Sequence, residues 1–147
     1  MTKHKDMCSL AFCAQSTGQG LRLQVRFDGL VIHDSLLVSG PVEIQHEFEE
    51  FDGQAHVLEL EMSGKSVDHT VIDADGNIVA DQVIEITNMS LLGNKLGHLF
   101  VEHSTYTHDF NGSGDTTQQE FYTTMGCNGV VKFKFTSPVY LWLLENM

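Results

Sequence analysis

Alternation of apolar and polar residues with a period of two, repeated in separate stretches, constrains this chain more than any other feature. Leu21, Leu23, Val25 and Phe27 alternate with Arg22, Gln24 and Arg26. Val42, Ile44, His46 and Phe48 do the same with Glu43, Gln45 and Glu47. Leu58, Leu60 and Met62 oppose Val57, Glu59 and Glu61, and Val131, Phe133 and Phe135 oppose Lys132, Lys134 and Thr136. Successive side chains of a strand point to opposite faces, so each stretch is a strand with one dry and one wet face. Val83 to Met89 reads as a further strand.

Turn signals separate these strands. Asp28-Gly29 sits between apolar residues, as a two-residue hairpin turn does, and Phe51-Asp52-Gly53-Gln54 marks another turn. Val139 to Leu144 is almost continuously apolar and reads as a strand covered on both sides, entered through Pro138. One helix is expected, near residues 116–125. Asp115 or Thr117 can cap it, Gln118 or Glu120 stands at capping-box spacing, and Gly126 can end it. Residues 1–20 lack alternation and close on Gln15-Ser16-Thr17-Gly18-Gln19-Gly20, the composition of a linker. They are expected to form a flexible N-terminal arm, a tail or a means of homo-oligomer formation, ahead of a single domain over 21–147. Short strands with turns between them make the fold class all-β, an antiparallel β-sandwich of jelly-roll type with that one short helix.

Charge narrows the partners. Twenty acids against eight Lys and Arg give a formal net charge of −12. Between Asp28 and Val131 there are 18 acids and two bases, Lys65 and Lys95. Such a surface repels phosphate backbones, which argues against nucleic acid as partner and suits cation binding or simple solubility. No apolar run approaches the length that spans a membrane. Cys8, Cys13 and Cys127 do not make a disulfide framework, and their spacing is not that of a zinc site.

Two stretches carry candidate chemistry. Asp73, Asp75 and Asn77 surround Gly76 with oxygen-bearing side chains two residues apart, as in loops that wrap a hard cation such as calcium. The full EF-hand spacing fails, because Gln82 stands where the bidentate Glu belongs, and a plain hairpin turn at Asp75-Gly76 explains the same residues. Residues 102–115 form a long polar stretch, either a mobile insertion or a binding loop. Within it Tyr106, His108, Asp109 and Asn111 offer a ring for stacking and polar atoms for hydroxyls, a sugar-binding set. The eight histidines are scattered, and those of 33, 46 and 56 converge only if their strands pair. No nucleophile elbow, His-Glu-x-x-His or phosphate-cradling glycine loop is present, so no enzyme activity is expected.

Two resemblances add to this. Within His56–Leu99, the strand Val57-Leu58-Glu59-Leu60-Glu61-Met62, a variable loop, and then Val83 through Gly93 are similar in order to the small calcium-dependent, xylan-binding type of carbohydrate-binding module. That resemblance implies a glycan partner and calcium beside a strand-turn. Tyr122 to Met147, with Met125-Gly126-Cys127-Asn128-Gly129 and Tyr140-Leu141-Trp142-Leu143-Leu144, resembles small proteins of tailed marine phages, which implies a virion setting. The sequence therefore leads to a non-enzymatic, calcium-assisted glycan-binding module on a phage particle. The alternative is a virion structural protein, in a capsid decoration or tail, that contacts other virion proteins.

Overall fold

A computed structural model describes residues 6–18, 20–38, 40–65, 70–72, 74–76, 78–109 and 114–146. Each alternating stretch is a strand, and each buries the face that its apolar residues mark. The strands are β1 (Asp6–Ser16), β2 (Arg22–Phe27), β3 (Leu30–Leu36), β4 (Gly40–Glu50), β5 (Ala55–Ser63), β6 (Thr70–Ile72), β7 (Ile78–Asp81), β8 (Ile84–Leu91), β9 (Asn94–Lys95), β10 (Ser104–His108), β11 (Thr117–Glu120), β12 (Thr124–Met125) and β13 (Gly129–Thr136). Two helices, α1 (His98–Glu102) and α2 (Val139–Asn146), complete the described elements.

The strands form two antiparallel sheets packed as a sandwich. One runs β11-β10-β13-β5-β2-β3. The other runs β12-β8-β1-β4, with β9 on β8, and β6 and β7 pair as a separate hairpin. Leu23, Val25, Leu60, Val131 and Phe133 of the first sheet meet Leu10, Phe12, Ile44, Ile86 and Leu91 of the second in one buried apolar cluster. Phe27 of β2 and Phe48 of β4 lie 4.5 Å apart, centroid to centroid, across the two sheets. Burial of such side chains contributes about 1.5–3 kcal/mol each and is the main source of stability. Asp28 and Gly29, with φ of 48° and 85°, make the expected two-residue turn between β2 and β3. Positive φ at both central positions matches the twist of the strands they join.

Three expectations are corrected. Residues 6–16 are not an arm: Asp6–Ser16 is β1, paired on one side with β4 and on the other with β8. Cys8, Leu10, Phe12 and Ala14 are all buried, and they stand at alternate positions. The period was present but was masked by apolar Met7, Ala11 and Cys13 on the opposite face. Oligomer formation through a free arm loses its basis over this segment, and residues 1–5 lie outside the described ones.

The helix is not at 116–125. Thr117–Glu120 is β11, paired with β10 from Thr105↔Glu120 to His108↔Thr117. Four threonines, at 116, 117, 123 and 124, favour extended backbone, and the open edge of β10 supplies a hydrogen-bonding partner. The longer of the two helices, α2, lies instead where a buried strand is expected. Val139, Trp142 and Leu143 of α2 are buried at helical spacing, whereas Tyr140, Leu141 and Leu144 are exposed. A short apolar run does not separate strand from helix by period alone. Here the Val139 N–H donates to Glu50 Oε2 at 2.6 Å, and the Leu141 and Trp142 N–H groups donate to the Pro138 carbonyl. Those bonds start a helix.

Candidate functional site

The sugar-binding set of the sequence is split by the pleat of β10. Ser104, Tyr106 and His108 point inward, and Thr105 and Thr107 point outward. Tyr106 is only 3% exposed. Its hydroxyl donates to the Cys127 carbonyl and accepts the Cys127 N–H at 2.9 Å. Its ring meets Phe121 edge-on at 5.7 Å and His108 at 4.8 Å. Burial pushes its hydroxyl up to about 12. Tyr106 is thus a core residue that fastens the β12–β13 connection to β10, not a stacking platform. His108 is buried beside it. Asp109, half-buried at the end of the strand, is the member of the set that reaches the surface, and Asn111 lies outside the described residues.

Of the expected cation ligands, Asp73 and Asn77 also lie outside the described residues. Asp75 is exposed in the turn of the β6–β7 hairpin. Ile72 pairs with Ile78, so the connection between β6 and β7 is longer than a two-residue turn. Among the described residues no group of three or more His, Cys, Asp or Glu side chains is placed to hold a metal ion. The side chains described there do not assemble a calcium site.

Asp109 does open onto a cleft of about 330 Å³ at the ends of β5, β10 and β13, with polar Glu61, Ser63, Thr107, Thr116 and Asn128 around it and apolar Met62 and Val130 between them. Two contacts fix its shape. Asn128 accepts the Lys65 N–H at 2.9 Å and donates to the Lys65 carbonyl at 3.0 Å, while the Lys65 ammonium donates to Gly126 O at 2.6 Å. Gly129 lets β13 approach β10 closely: a Cβ there would stand 2.4 Å from the Thr107 carbonyl oxygen. Glu61 receives a hydrogen bond from Arg26 Nη1 at 2.8 Å, which leaves its second oxygen for a ligand.

Sequence reasoning missed a second constellation. His56 Nδ1 lies 2.7 Å from Asp28 Oδ2, and His56 Nε2 lies 2.7 Å from Ser137 Oγ. Asp28 Oδ1 also accepts the Val57 N–H at 2.8 Å. The connectivity is that of a serine-hydrolase triad, but the surroundings oppose that chemistry. His56 and Ser137 are 1% and 3% exposed, and the imidazole is packed against the rings of Phe27, Phe48 and Phe135. Beside Ser137, the helix-start N–H of Val139 is taken by the Glu50 carboxylate. A nucleophile needs access to a carbonyl and donors for its oxyanion; this site gives a buried serine next to a fixed negative charge. The relay instead ties the β2–β3 turn and β5 to the start of α2. Residues 28, 56 and 137 are too far apart in sequence to form a motif. The one available signal was the parity that His56 shares with Leu58, Leu60 and Met62.

No protein-family model and no curated protein sequence matches the chain. Among solved structures, a complex of vCBM60 with galactobiose is similar with a TM-score of 0.48 and 10% identity, over 85% of this chain and 96% of that one. The selenomethionine form of vCBM60 is similar with a TM-score of 0.54 and 8% identity, over 86% of this chain and 89% of that one. That structure is described as part of an evolutionary link, by circular permutation, between two families of calcium-dependent carbohydrate binding modules. The resemblance first seen within His56–Leu99 therefore extends, as a fold, over most of the chain: its sandwich is similar to that of a calcium-dependent carbohydrate-binding module.

Proposed function

We propose that the chain is a non-catalytic glycan-binding module. The observation that carries this reading is the sandwich shared with vCBM60 over 86% of the chain. The cleft at Asp109 is the place assigned to the sugar. Carboxylates of Glu61 and Asp109 accept hydrogen bonds, and the hydroxyls of Ser63, Thr107 and Thr116 both donate and accept, which suits the hydroxyl-dense rim of a pyranose ring. Calcium assistance belongs to the same proposal and rests on the calcium dependence of the families named with vCBM60. Because the described side chains gather no calcium site, it is tested on the whole protein. A virion setting rests on the C-terminal sequence resemblance alone.

Calorimetric titration with soluble xylan oligosaccharides, in calcium and after chelation, tests the reading. Binding in calcium, weakening on chelation, and no release of new reducing ends are expected. Asp109→Ala should weaken binding about tenfold, the value of one hydrogen bond to a charged group. Absence of binding to xylan and to other soluble polysaccharides, with calcium present and the protein folded, would overturn it.

A further inference from the structure

A second, apolar groove lies away from the cleft at Asp109, between the β8–β9–α1 segment and α2. It measures about 630 Å³, within the roughly 300–1,000 Å³ typical of small-molecule sites. Its floor is apolar and buried: Leu96, Leu99 and Leu143 are 4%, 3% and 8% exposed. Its walls are apolar and open to solvent, formed by Leu92, Tyr140 and Leu144.

Twenty acids outnumber eight Lys and Arg in this chain, yet no Asp or Glu lines this groove. Three other clefts include Glu61 and Asp109, Asp52 and Glu145, or Glu43. A fourth, which adjoins this groove and shares Lys95 and His98 with it, is also free of acids, so the acid-free surface continues around Lys95. Here the rim carries Lys95, His98 and the Tyr140 hydroxyl, all of which can donate hydrogen bonds. Of the two bases between Asp28 and Val131, Lys65 is buried and bonded to the Gly126 carbonyl, whereas Lys95 is exposed. Among the described residues no hydrogen bond or ion pair engages the Lys95 ammonium. The nearest acid on the rim helix, Glu102, stands 3.9 Å from His98 in an exposed i,i+4 pair.

We infer that this groove binds an anionic amphiphile of the fatty-acid class, with its carboxylate at Lys95 and its alkyl chain along Leu96, Leu99 and Leu143. An apolar floor alone would accept any alkyl chain. The acid-free rim with one uncommitted ammonium selects a carboxylate head by charge complementarity and excludes nothing on the apolar side. The site is separate from the glycan cleft, and its test is independent of the glycan result.

The probes are decanoate and 1-decanol, titrated calorimetrically below their micellar or solubility limits into wild type, Lys95→Gln and Leu144→Ser. Both residues are exposed, so neither change should alter the far-ultraviolet circular dichroism. Decanoate should bind about fivefold more tightly than decanol, the size of one exposed charge pair, and Lys95→Gln should abolish that preference. Leu144→Ser should weaken both probes alike. Equal affinity for decanoate and decanol, or an unchanged decanoate affinity in Lys95→Gln, would overturn the assignment. So would binding of neither probe by a protein that elutes as a dimer, because a second copy would then cover the groove.

Discussion

Removal of one hydroxyl from the Asp28–His56–Ser137 relay should cost more than the hydrogen bond itself is worth. Ser137→Ala deletes the Oγ that lies 2.7 Å from His56 Nε2. The ring nitrogen left behind is in a residue 1% exposed, surrounded by Phe27, Phe48 and Phe135, where no solvent replaces the partner. A buried polar group left unsatisfied costs about 1–3 kcal/mol, so a loss near 2 kcal/mol is expected. At about 2–4 °C per kcal/mol for a domain of this size, the melting temperature should fall by about 4–8 °C. The same reasoning makes a second, opposite forecast. In His56→Phe/Ser137→Ala both partners are replaced by apolar groups, the new ring joins an existing aromatic cluster, and Asp28 still accepts the Val57 N–H. The double variant should therefore be more stable than Ser137→Ala by at least about 1 kcal/mol, because no buried polar atom is stranded: Asp28 Oδ2 loses His56 Nδ1, but Asp28 is exposed and water takes its place. Urea unfolding followed by the fluorescence of Trp142, the only tryptophan, gives both numbers if the slopes match wild type. Ser137→Ala within about 0.5 kcal/mol of wild type, or a double variant less stable than the single, would refute the account of the relay as a buried brace.

Two further outcomes follow from geometry and charge. Gly129→Ala would place a methyl 2.4 Å from the Thr107 carbonyl oxygen and 2.8 Å from His108 Cβ, so denaturant unfolding should show a loss of about 2 kcal/mol or more as β10 and β13 are forced apart. Burial lowers the pKa of His46 from its ordinary value of 6.5, with Asp28 offsetting part of the effect. The unfolded chain then takes up the proton first, so stability is lost as pH falls below 6.5 and levels off below the folded-state value. Melting temperatures from pH 8 to 5 should fall less steeply in His46→Phe than in wild type, and parallel curves would exclude His46 as a source.

The two-residue period specified most of the sandwich because packing one face of a sheet acts on each strand separately. It was silent where two faces are apolar. In β1, Met7, Ala11 and Cys13 blur the alternation, and in α2 six apolar residues in a row satisfy either the strand or the helix period. The candidate site was less legible for a different reason. Tyr106 and His108 look like loop residues because polar neighbours surround them, but pairing of β10 with β13 and β11 assigns their faces, and that pairing is set far away in sequence. Asp109 escapes to the surface only because it follows the last paired residue. The relay at His56 joins three strand or helix ends, and no local pattern encodes such a meeting.

The position of β1 has a consequence for synthesis. Its hydrogen-bonding partners on one side, in β8, end 75 residues beyond its own last residue. A chain emerging N-terminus first at 5–20 residues per second leaves β1 without β8 for about 4–15 s, and for about the last 2–8 s of that time β4 is available while the β8 edge is still absent. During that interval Leu10, Phe12 and Ala14, which end buried, have no opposing sheet complete enough to cover them. The order in which the strands leave the ribosome is thus not the order in which they can be buried, and the nascent protein depends on solubility through this gap. The acids of β4, Glu43, Glu47 and Glu49, lie on the outer face beside β1 and give the half-built sheet like charge during its most adhesive stage.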